Sequence, residues 1–219
     1  MFSPRSLLHI ATVLAAGVLS VASSRASVLT YPSYASWNAA VTDVVTVTIP
    51  QPAGAAGWDY FGQGDASVTY SGVTFSTSSE YSDSYLFNVG AVWSGDPPVV
   101  SSQLPEPGAG ESNILVSLPW YVTSFALNYG TYEGDDVTFT LSNGDQVTLG
   151  STPGNWYAAV DFLGATDSTP FDSVLLTSDT QLLSLNDVSF SAPEPAAGLL
   201  LSTGLAGLLA RGRRRARRA

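Results

Sequence analysis

The chain has 219 residues and a formal net charge of −10, and its charges are unevenly placed. All eight basic residues are arginines near the two ends, so residues 26–210 carry no cationic side chain, and cysteine is absent throughout. Nucleic-acid binding needs Lys or Arg to contact the phosphates, so the composition argues against it. Catalytic triads need His, Schiff-base enzymes need Lys and thiolate nucleophiles need Cys, so the composition also argues against these kinds of catalysis.

Residues 1–26 have the pattern of a secretory signal peptide. Arg5 supplies a positive start, an apolar run interrupted by His9 follows, and the small-x-small sequence SRA ends at Ala26. Such a peptide is delivered by the Sec machinery and cleaved after a small residue, here Ala26, with Ala22 as a second candidate. A retained membrane anchor is the alternative, although the uninterrupted apolar run is short for a bilayer.

Residues 27–192 are the predicted ectodomain, and strand signals dominate them. One short helix is expected within residues 30–41, because aromatic and apolar side chains recur there at spacings of three and four and would pack on the edge of a sheet. Apolar residues alternate with polar ones, or form short apolar runs, in several further segments that we predict as strands. These are residues 44–49, 67–76, 124–130, 155–164, 171–178 and 188–191.

The sequence VTFTLSNGDQVTLG, residues 137–150, is the clearest hairpin signal. Val137, Phe139 and Leu141 alternate with threonines, and the alternation resumes after SNGD. Asn143 and Gly144 suit a tight turn that requires positive φ.

Turn residues separate the predicted strands about every ten residues, a spacing typical of β-sandwiches and jelly rolls. Residues 94–112 are rich in Pro, Gly and Ser, and we expect them to be irregular. The predicted fold class is therefore all-β: an antiparallel β-sandwich or jelly-roll-like domain with one short N-terminal helix.

Sugar binding is one function that this body could perform. Trp58, Asp59 and Tyr60 are expected to lie together in a Gly-flanked loop, GWDYFG, and Trp93 ends a strand-like segment. Aromatic faces can stack on pyranose rings while carboxylates bind the hydroxyls, so these four residues are candidate glycan contacts. Burial in the core is the competing interpretation for each aromatic.

Calcium binding is a second candidate, because Ca²⁺ is held by carboxylate and carbonyl oxygens. The sequence YEGDDV concentrates Glu133, Asp135 and Asp136 around a glycine, and Asn186 with Asp187 precedes the last predicted strand. Neither segment matches an EF-hand loop or a nonapeptide calcium repeat, so ordinary acidic turns are the alternative. Apart from this candidate ion, no cofactor is expected.

Carboxylate-dependent glycoside hydrolysis is the remaining catalytic alternative, because it needs only a pair of acids. Acids scattered over loops more often form a solvated surface, so we expect no enzymatic activity. The acids available for such a pair are Asp59, Asp83, Glu133, Asp135, Asp136 and Asp161.

The end of the chain, residues 193–219, has three parts in a fixed order. Pro193, Glu194 and Pro195 are followed by the uncharged residues 196–210, which as a helix would span roughly 22 Å. That is short for a hydrocarbon core of about 30 Å, and the arginines after it are expected to remain cytoplasmic. The arginines are Arg211, Arg213, Arg214, Arg215, Arg217 and Arg218.

This ending resembles the PEP-CTERM sorting signal, in which a Pro-Glu-Pro triplet, a short Leu/Gly/Ala-rich transmembrane helix and an Arg cluster end the chain. The triplet at residues 105–107 has a polar sequel and lacks the other two parts. The resemblance implies recognition by an exosortase, a membrane cysteine peptidase, cleavage near the triplet and onward sorting to the cell surface. A permanent single-pass anchor is the alternative.

The body is also similar to the β-sandwich domain common in PEP-CTERM proteins, through the segments GVTFS, TSFALNYG, FLG, PFDSVLLTS and LNDVSF. That resemblance implies a fold more than an activity. The resulting hypothesis is a non-catalytic surface or matrix protein that acts in the exopolysaccharide or biofilm matrix, with exopolysaccharide as a candidate ligand. A glycoside hydrolase and a calcium-dependent adhesive module are the alternatives.

Overall fold

A computed structural model describes residues 28–54, 57–90, 97–152, 157 and 159–192. These residues form an all-β antiparallel fold with one short helix, α1 (Tyr34–Ala40). The strands are β1 (Leu29–Tyr31), β2 (Val44–Val47), β3 (Trp58–Gln63), β4 (Ser67–Tyr70), β5 (Val73–Ser76), β6 (Tyr85–Val89), β7 (Val99–Gln103), β8 (Ser112–Thr131), β9 (Val137–Leu141), β10 (Gln146–Leu149), β11 (Asp161–Ser178) and β12 (Leu182–Ser191).

Two long strands, β8 and β11, organise the molecule. They pair antiparallel along most of their length, with residues 161–166 opposite 129–124 and residues 173–178 opposite 117–112. Between these two stretches the register shifts on either side of Phe171. A register shift of this kind bends a strand, so each long strand can contribute its two halves to two different layers.

Each half of the β8–β11 pair has its own neighbours. The first half of β8 and the second half of β11 join β5 and β9, with β4 and β10 outside them. The other halves join β12 and β1, and the sheet continues from β12 through β7 and β6 to β3, with β2 also on β12. The result is sandwich-like, as the sequence predicted.

One hydrophobic core lies between the two layers. It contains Phe75, Val116 and Phe139 from one layer and Leu127 and Leu185 from the other, all almost completely buried. The core cluster is built from residues between Val47 and Phe190, so residues 28–192 contain the apolar interior that an independently folding domain requires.

Helix α1 is the predicted helix, although it is shorter than the aromatic spacing indicates. It starts after Ser33, whose side chain accepts a hydrogen bond from the Ser36 N–H, and ends before Val41. Trp37 is fully buried and donates from Nε1 to the Ala165 carbonyl oxygen at 3.2 Å. The helix therefore packs on β11, next to the edge strand β1.

The hairpin predicted from residues 137–150 is confirmed. Gln146 lies opposite Thr140 and Leu149 opposite Val137 across β9 and β10. Gly144 has a φ of 95° and donates its N–H to the Leu141 carbonyl oxygen at 2.9 Å.

Several predictions of local structure need correction. The loop predicted around Trp58, Asp59 and Tyr60 is strand β3, and the segment 67–76 is a hairpin of two strands, β4 and β5. The strand predicted for residues 155–164 begins only at Asp161, and Val160 is exposed. Residues 94–112, expected to be irregular, include strand β7. Asn186 and Asp187 lie inside β12 rather than before it, at a register shift where Asp187 has a φ of 46°.

The predicted signal peptide, residues 1–26, and the terminal segment, residues 193–219, lie outside the described residues. Within the described residues, no helix has the length and hydropathy that a membrane span needs.

Candidate functional site

Four aromatic side chains share one face of the paired strands β3 and β6. Trp58 and Tyr60 are two residues apart on β3, and Tyr85 and Phe87 are two residues apart on β6, so each pair lies on one side of its strand. Tyr60 is directly opposite Phe87 in the register, which places both pairs on the same face. We call these four residues the aromatic platform.

The rings of the aromatic platform contact one another in a continuous row. The Trp58 and Phe87 centroids are 5.7 Å apart, those of Phe87 and Tyr60 are 5.4 Å apart, and those of Tyr60 and Tyr85 are 6.1 Å apart. Tilted and edge-to-face arrangements at these distances are favourable, because the positive edge of one ring meets the negative face of another. The row is therefore held in place by its own contacts.

Much of the aromatic platform faces solvent. Trp58 is 43 % exposed and Tyr60 is 50 % exposed, whereas Tyr85 and Phe87 are half-buried. Strand β3 ends the main path of the sheet, so the platform lies at an edge. Large aromatic side chains left accessible in one contiguous group mark an interaction surface more often than isolated exposed residues do.

Polar groups extend the same face beyond the rings. A register shift between Tyr60 and Gly62 places Gln63 opposite Tyr85, on the platform side of β3. Strand β6 pairs with β7 on the side away from β3, and there Gln103 lies opposite Tyr85. Gln103 accepts a hydrogen bond from the Tyr157 hydroxyl at 3.3 Å. Amide and phenol groups therefore flank the aromatic platform, where they can exchange hydrogen bonds with a ligand.

Asp59, predicted to act with its two neighbours, lies on the opposite side of β3. Its two carboxylate oxygens accept hydrogen bonds from the backbone N–H groups of Ala53 and Gly54, at 3.0 and 3.1 Å. Asp59 therefore holds the loop before β3 and does not belong to the aromatic platform. Trp93, the fourth candidate contact, lies outside the described residues.

Sequence reasoning found half of the aromatic platform. Trp58 and Tyr60 were identified from one local motif, but Tyr85 and Phe87 were missed. The signal that could have found them is the same alternation of aromatic residues in YLFNV, residues 85–89, which repeats the spacing of WDY, residues 58–60.

The three acids of the candidate calcium segment are not grouped around a common point in the described part of the chain. No group of three or more acidic, histidine or cysteine side chains in the described ranges is placed to hold a metal ion, so Glu133, Asp135 and Asp136 do not converge. They follow β8 in a turn, in which Gly134 has a φ of 82° and donates its N–H to the Thr131 side-chain oxygen.

Asp161, one of the acids available for hydrolysis, is occupied with loop contacts. Its carboxylate accepts hydrogen bonds from Ser151 Oγ at 3.1 Å and from Thr152 Oγ1 at 2.9 Å. Because carboxylates without cationic partners rely on such neutral donors, Asp161 has the same structural role as Asp59.

A cleft of about 690 Å³ opens elsewhere, beside the bends of β8 and β11. It is lined by Asp43 and Asp167 together with hydroxyl-bearing residues such as Ser124. Asp167 accepts hydrogen bonds from Asn143 Nδ2 at 3.0 Å and from the Thr169 N–H at 2.8 Å. Neither of these two acids was among the candidates for catalysis.

Comparison with known proteins gives no family assignment. No family model matches the chain, and no curated protein matches it. The K2 cleaved adhesin domain of Lys-gingipain is 17% identical over 68% of this chain and 99% of that chain, with a TM-score of 0.35. A variant of the family 29 carbohydrate-binding module CBM29-2 is 15% identical over 68% of this chain and 92% of the module, with a TM-score of 0.30.

A second variant of that module, complexed with cellulohexaose, is 14% identical over 68% of this chain and 92% of the module, with a TM-score of 0.29. These similarities are too low to carry a function from those proteins to this one. What the chain binds has to follow from its own residues.

Proposed function

We propose that this protein is a non-catalytic carbohydrate-binding module that engages a glycan through the aromatic platform. The observation that carries the proposal is the row of Trp58, Tyr60, Tyr85 and Phe87, which share one strand face and contact one another in sequence. The apolar C–H faces of pyranose rings pack against aromatic rings, and the release of water from both surfaces favours the contact.

The polar groups around the rings suit the same ligand. Gln63, Gln103 and Tyr157 supply amide and hydroxyl groups, which can donate to and accept from sugar hydroxyls. Binding sites commonly combine a large apolar surface with a few such groups that fix the orientation of the ligand. An open row of rings fits an extended chain of sugars better than a single monosaccharide.

The proposal is tested with a glycan array and then with titration calorimetry on the best glycan. Trp58→Ala and Tyr60→Ala are each expected to weaken binding about tenfold or more, the loss that corresponds to ~1.4 kcal/mol or more. Tyr121→Ala is the matched control, because Tyr121 is a 67 % exposed aromatic residue on β8, away from the platform. Equal affinities for wild type and all three variants would refute the assignment of the site.

The non-catalytic part of the proposal has a separate test. Incubation with the bound glycan is expected to release no reducing sugar. The cleft that contains Asp43 and Asp167 is where a carboxylate-dependent hydrolase would act, so release that disappears in Asp43→Asn would establish the catalytic alternative.

We further propose export and sorting of the module by an exosortase-type peptidase to the cell surface or the exopolysaccharide matrix. The support is the order of the triplet Pro193, Glu194 and Pro195, the uncharged residues 196–210 and the arginines, combined with the signal-like residues 1–26. Intact-mass measurement of the secreted protein is expected to show a start near Ser27 and an end near the triplet. Extracellular protein that retains the six terminal arginines would contradict sorting.

A further inference from the structure

The charged side chains next to the aromatic platform are acidic. The four rings and the flanking Gln63 and Gln103 contribute no cationic group. Asp65 lies two residues after Gln63, and Asp83 lies two residues before Tyr85. Both acids are exposed. The β3–β6 pairing continues in that direction, because the Gly64 N–H donates to the Ser84 carbonyl oxygen at 3.0 Å. Asp65 and Asp83 therefore both lie next to the end of the β3–β6 pair, close in the chain to Gln63 and Tyr85.

Hydrogen bonds hold the Asp65 carboxylate, and the Asp83 carboxylate lies beside Gly64. Asp65 Oδ1 accepts a hydrogen bond from the Ser79 N–H at 2.9 Å, and both of its oxygens contact Ser79 Oγ at 3.1 Å. Asp83 Oδ1 lies 3.6 Å from the position that a Cβ atom on Gly64 would take. Two carboxylates therefore lie near the end of the β3–β6 pair that carries Tyr85.

No cationic side chain offsets these acids. Residues 26–210 contain no Lys, Arg or His, while all eighteen acids of the chain lie between Asp43 and Glu194. The field over the platform is consequently negative, and it repels an anionic ligand and attracts a cationic one. An ammonium group gains further from the faces of Trp and Tyr rings, which carry negative potential.

We propose that the aromatic platform is selective for glycans whose sugars carry free amino groups, with Asp65 and Asp83 as the residues that determine the selectivity. This inference rests on the carbohydrate-binding function proposed above. Neutral glycans bind through ring stacking and the flanking amide and hydroxyl groups. Glycans with ammonium groups add the interaction with the two carboxylates, and glycans with carboxylate or sulfate groups are repelled.

The test uses residues 27–192, which contain the complete core, and three oligosaccharide probes at low salt and slightly acidic pH. The probes are a glucosamine hexamer, an N-acetylglucosamine hexamer and a galacturonate hexamer. The glucosamine hexamer is expected to bind at least tenfold more tightly than its acetylated counterpart, and the galacturonate hexamer least. The preference is expected to shrink as salt is added, because the contact is with exposed charges.

Variants separate a local contact from the overall charge of the protein. The double variant Asp65→Asn and Asp83→Asn is expected to lower the affinity for the glucosamine hexamer at least fivefold and to leave the affinity for the acetylated hexamer unchanged. The double variant Asp135→Asn and Asp136→Asn removes the same charge from a different turn, so it is expected to change the affinity for glucosamine by less than twofold. Equal effects of the two double variants would overturn the assignment of Asp65 and Asp83.

Trp58→Ala distinguishes this inference from the proposed function. Loss of glucosamine binding in that variant places the contact on the aromatic platform, and binding that survives it reflects general attraction between opposite charges and overturns the inference. If no glycan of an array depends on Trp58, the carbohydrate-binding function itself fails. If the binding of neutral or acidic glycans depends on Trp58 and the binding of the glucosamine hexamer does not, only the proposed charge selectivity fails.

Discussion

Gly164 on β11 is a position where any side chain would collide with helix α1. A Cβ atom there would lie 2.7 Å from Trp37 Cβ and 2.9 Å from Phe162 Cε1. Gly164→Ala is therefore expected to lower the free energy of unfolding by about 1–3 kcal/mol, because Trp37 is fully buried and cannot move freely. Urea denaturation measures the loss.

Gly150→Ala is the matched control for this substitution. Its added Cβ would have Asp136 Oδ1 as nearest neighbour at 3.5 Å, an ordinary contact, and its φ is not in the left-handed region. We expect a change within about 0.5 kcal/mol. A loss as large as that of Gly164→Ala would mean that crowding against Trp37 is not the cause.

Asp187 gives a pH-dependent prediction at the residue scale. Burial raises the pKa of its carboxyl above the ordinary value of 3.8, because the charged form loses hydration in β12. The folded state thus holds this proton more tightly than the unfolded state does. The contribution of Asp187 to stability is fully present below the ordinary pKa and is lost as the pH rises through the raised value.

Asp187→Asn should accordingly raise the melting temperature at neutral pH, since it removes a half-buried charge. Asparagine also tolerates the φ of 46° at this position, and that benefit does not depend on pH. Melting curves at neutral pH and at a pH below 3.8 separate the two effects. The charge explanation predicts a smaller gain at the acidic pH, and an equal gain at both would contradict it.

At the scale of single elements, the β9–β10 hairpin depends on the conformation of its turn. Gly144 has a φ of 95°, and nothing lies within 4 Å of a Cβ atom added there, so a substitution costs backbone strain rather than a clash. Gly144→Val is expected to lower the free energy of unfolding by about 1 kcal/mol or more. Differential scanning calorimetry provides the measurement.

Thr138→Ser tests the assignment of the hairpin faces. Thr138 Oγ1 contacts Thr148 Oγ1 at 3.0 Å on the outer side of β9, and serine can keep this hydrogen bond. The change is expected to be almost silent. A loss in the free energy of unfolding as large as that of Gly144→Val would show that the side chains on the outer face of β9 contribute as much to stability as the turn does.

Alternating apolar residues made many of the strands predictable, and buried polar residues hid β7. Strand β7 was missed because Pro97 and Pro98 precede it and because its serines do not alternate with apolar residues. Ser101 is nevertheless fully buried, and its Oγ lies 2.7 Å from Ser184 Oγ on β12. A hydrogen-bonded pair of buried serines cannot be recognised from either segment alone.

The aromatic platform shows the same limit for the candidate site. The alternation of Trp58 and Tyr60 is local and could be read from the sequence. Their union with Tyr85 and Phe87 depends on the register of β3 against β6 and on the shift after Tyr60. Register is set by the packing of the whole sheet, so a single motif cannot reveal it.

At the scale of the whole molecule, the uncompensated acids should make stability depend on salt. Their mutual repulsion opposes the compact state and is screened over about 8 Å at physiological ionic strength. Sodium chloride is therefore expected to raise the melting temperature of residues 27–192. A melting temperature that stays constant or falls with added salt would contradict this account.

Melting curves with Ca²⁺ test whether the acids form a specific metal site. Because the described residues contain no three-acid group placed to hold a metal ion, Ca²⁺ at matched ionic strength is expected to stabilise no more than NaCl does. A specific site would add about 2.7 kcal/mol at a hundred times its dissociation constant, which a melting curve would detect. Asp135→Asn would then show whether the turn after β8 is responsible.

The pairing of β12 also has a consequence for when the chain can fold. This last described strand lies between β8 on one side and β2 and β7 on the other, and Ser191 pairs with Val44 near the start of the domain. Contacts between such distant parts of a chain form slowly, because a long loop must close first. In an exported chain, the sheet cannot be completed until residues 182–191 have crossed the membrane. If the chain is exported as proposed, residues 28–181 would therefore cross the membrane before the sheet can be completed.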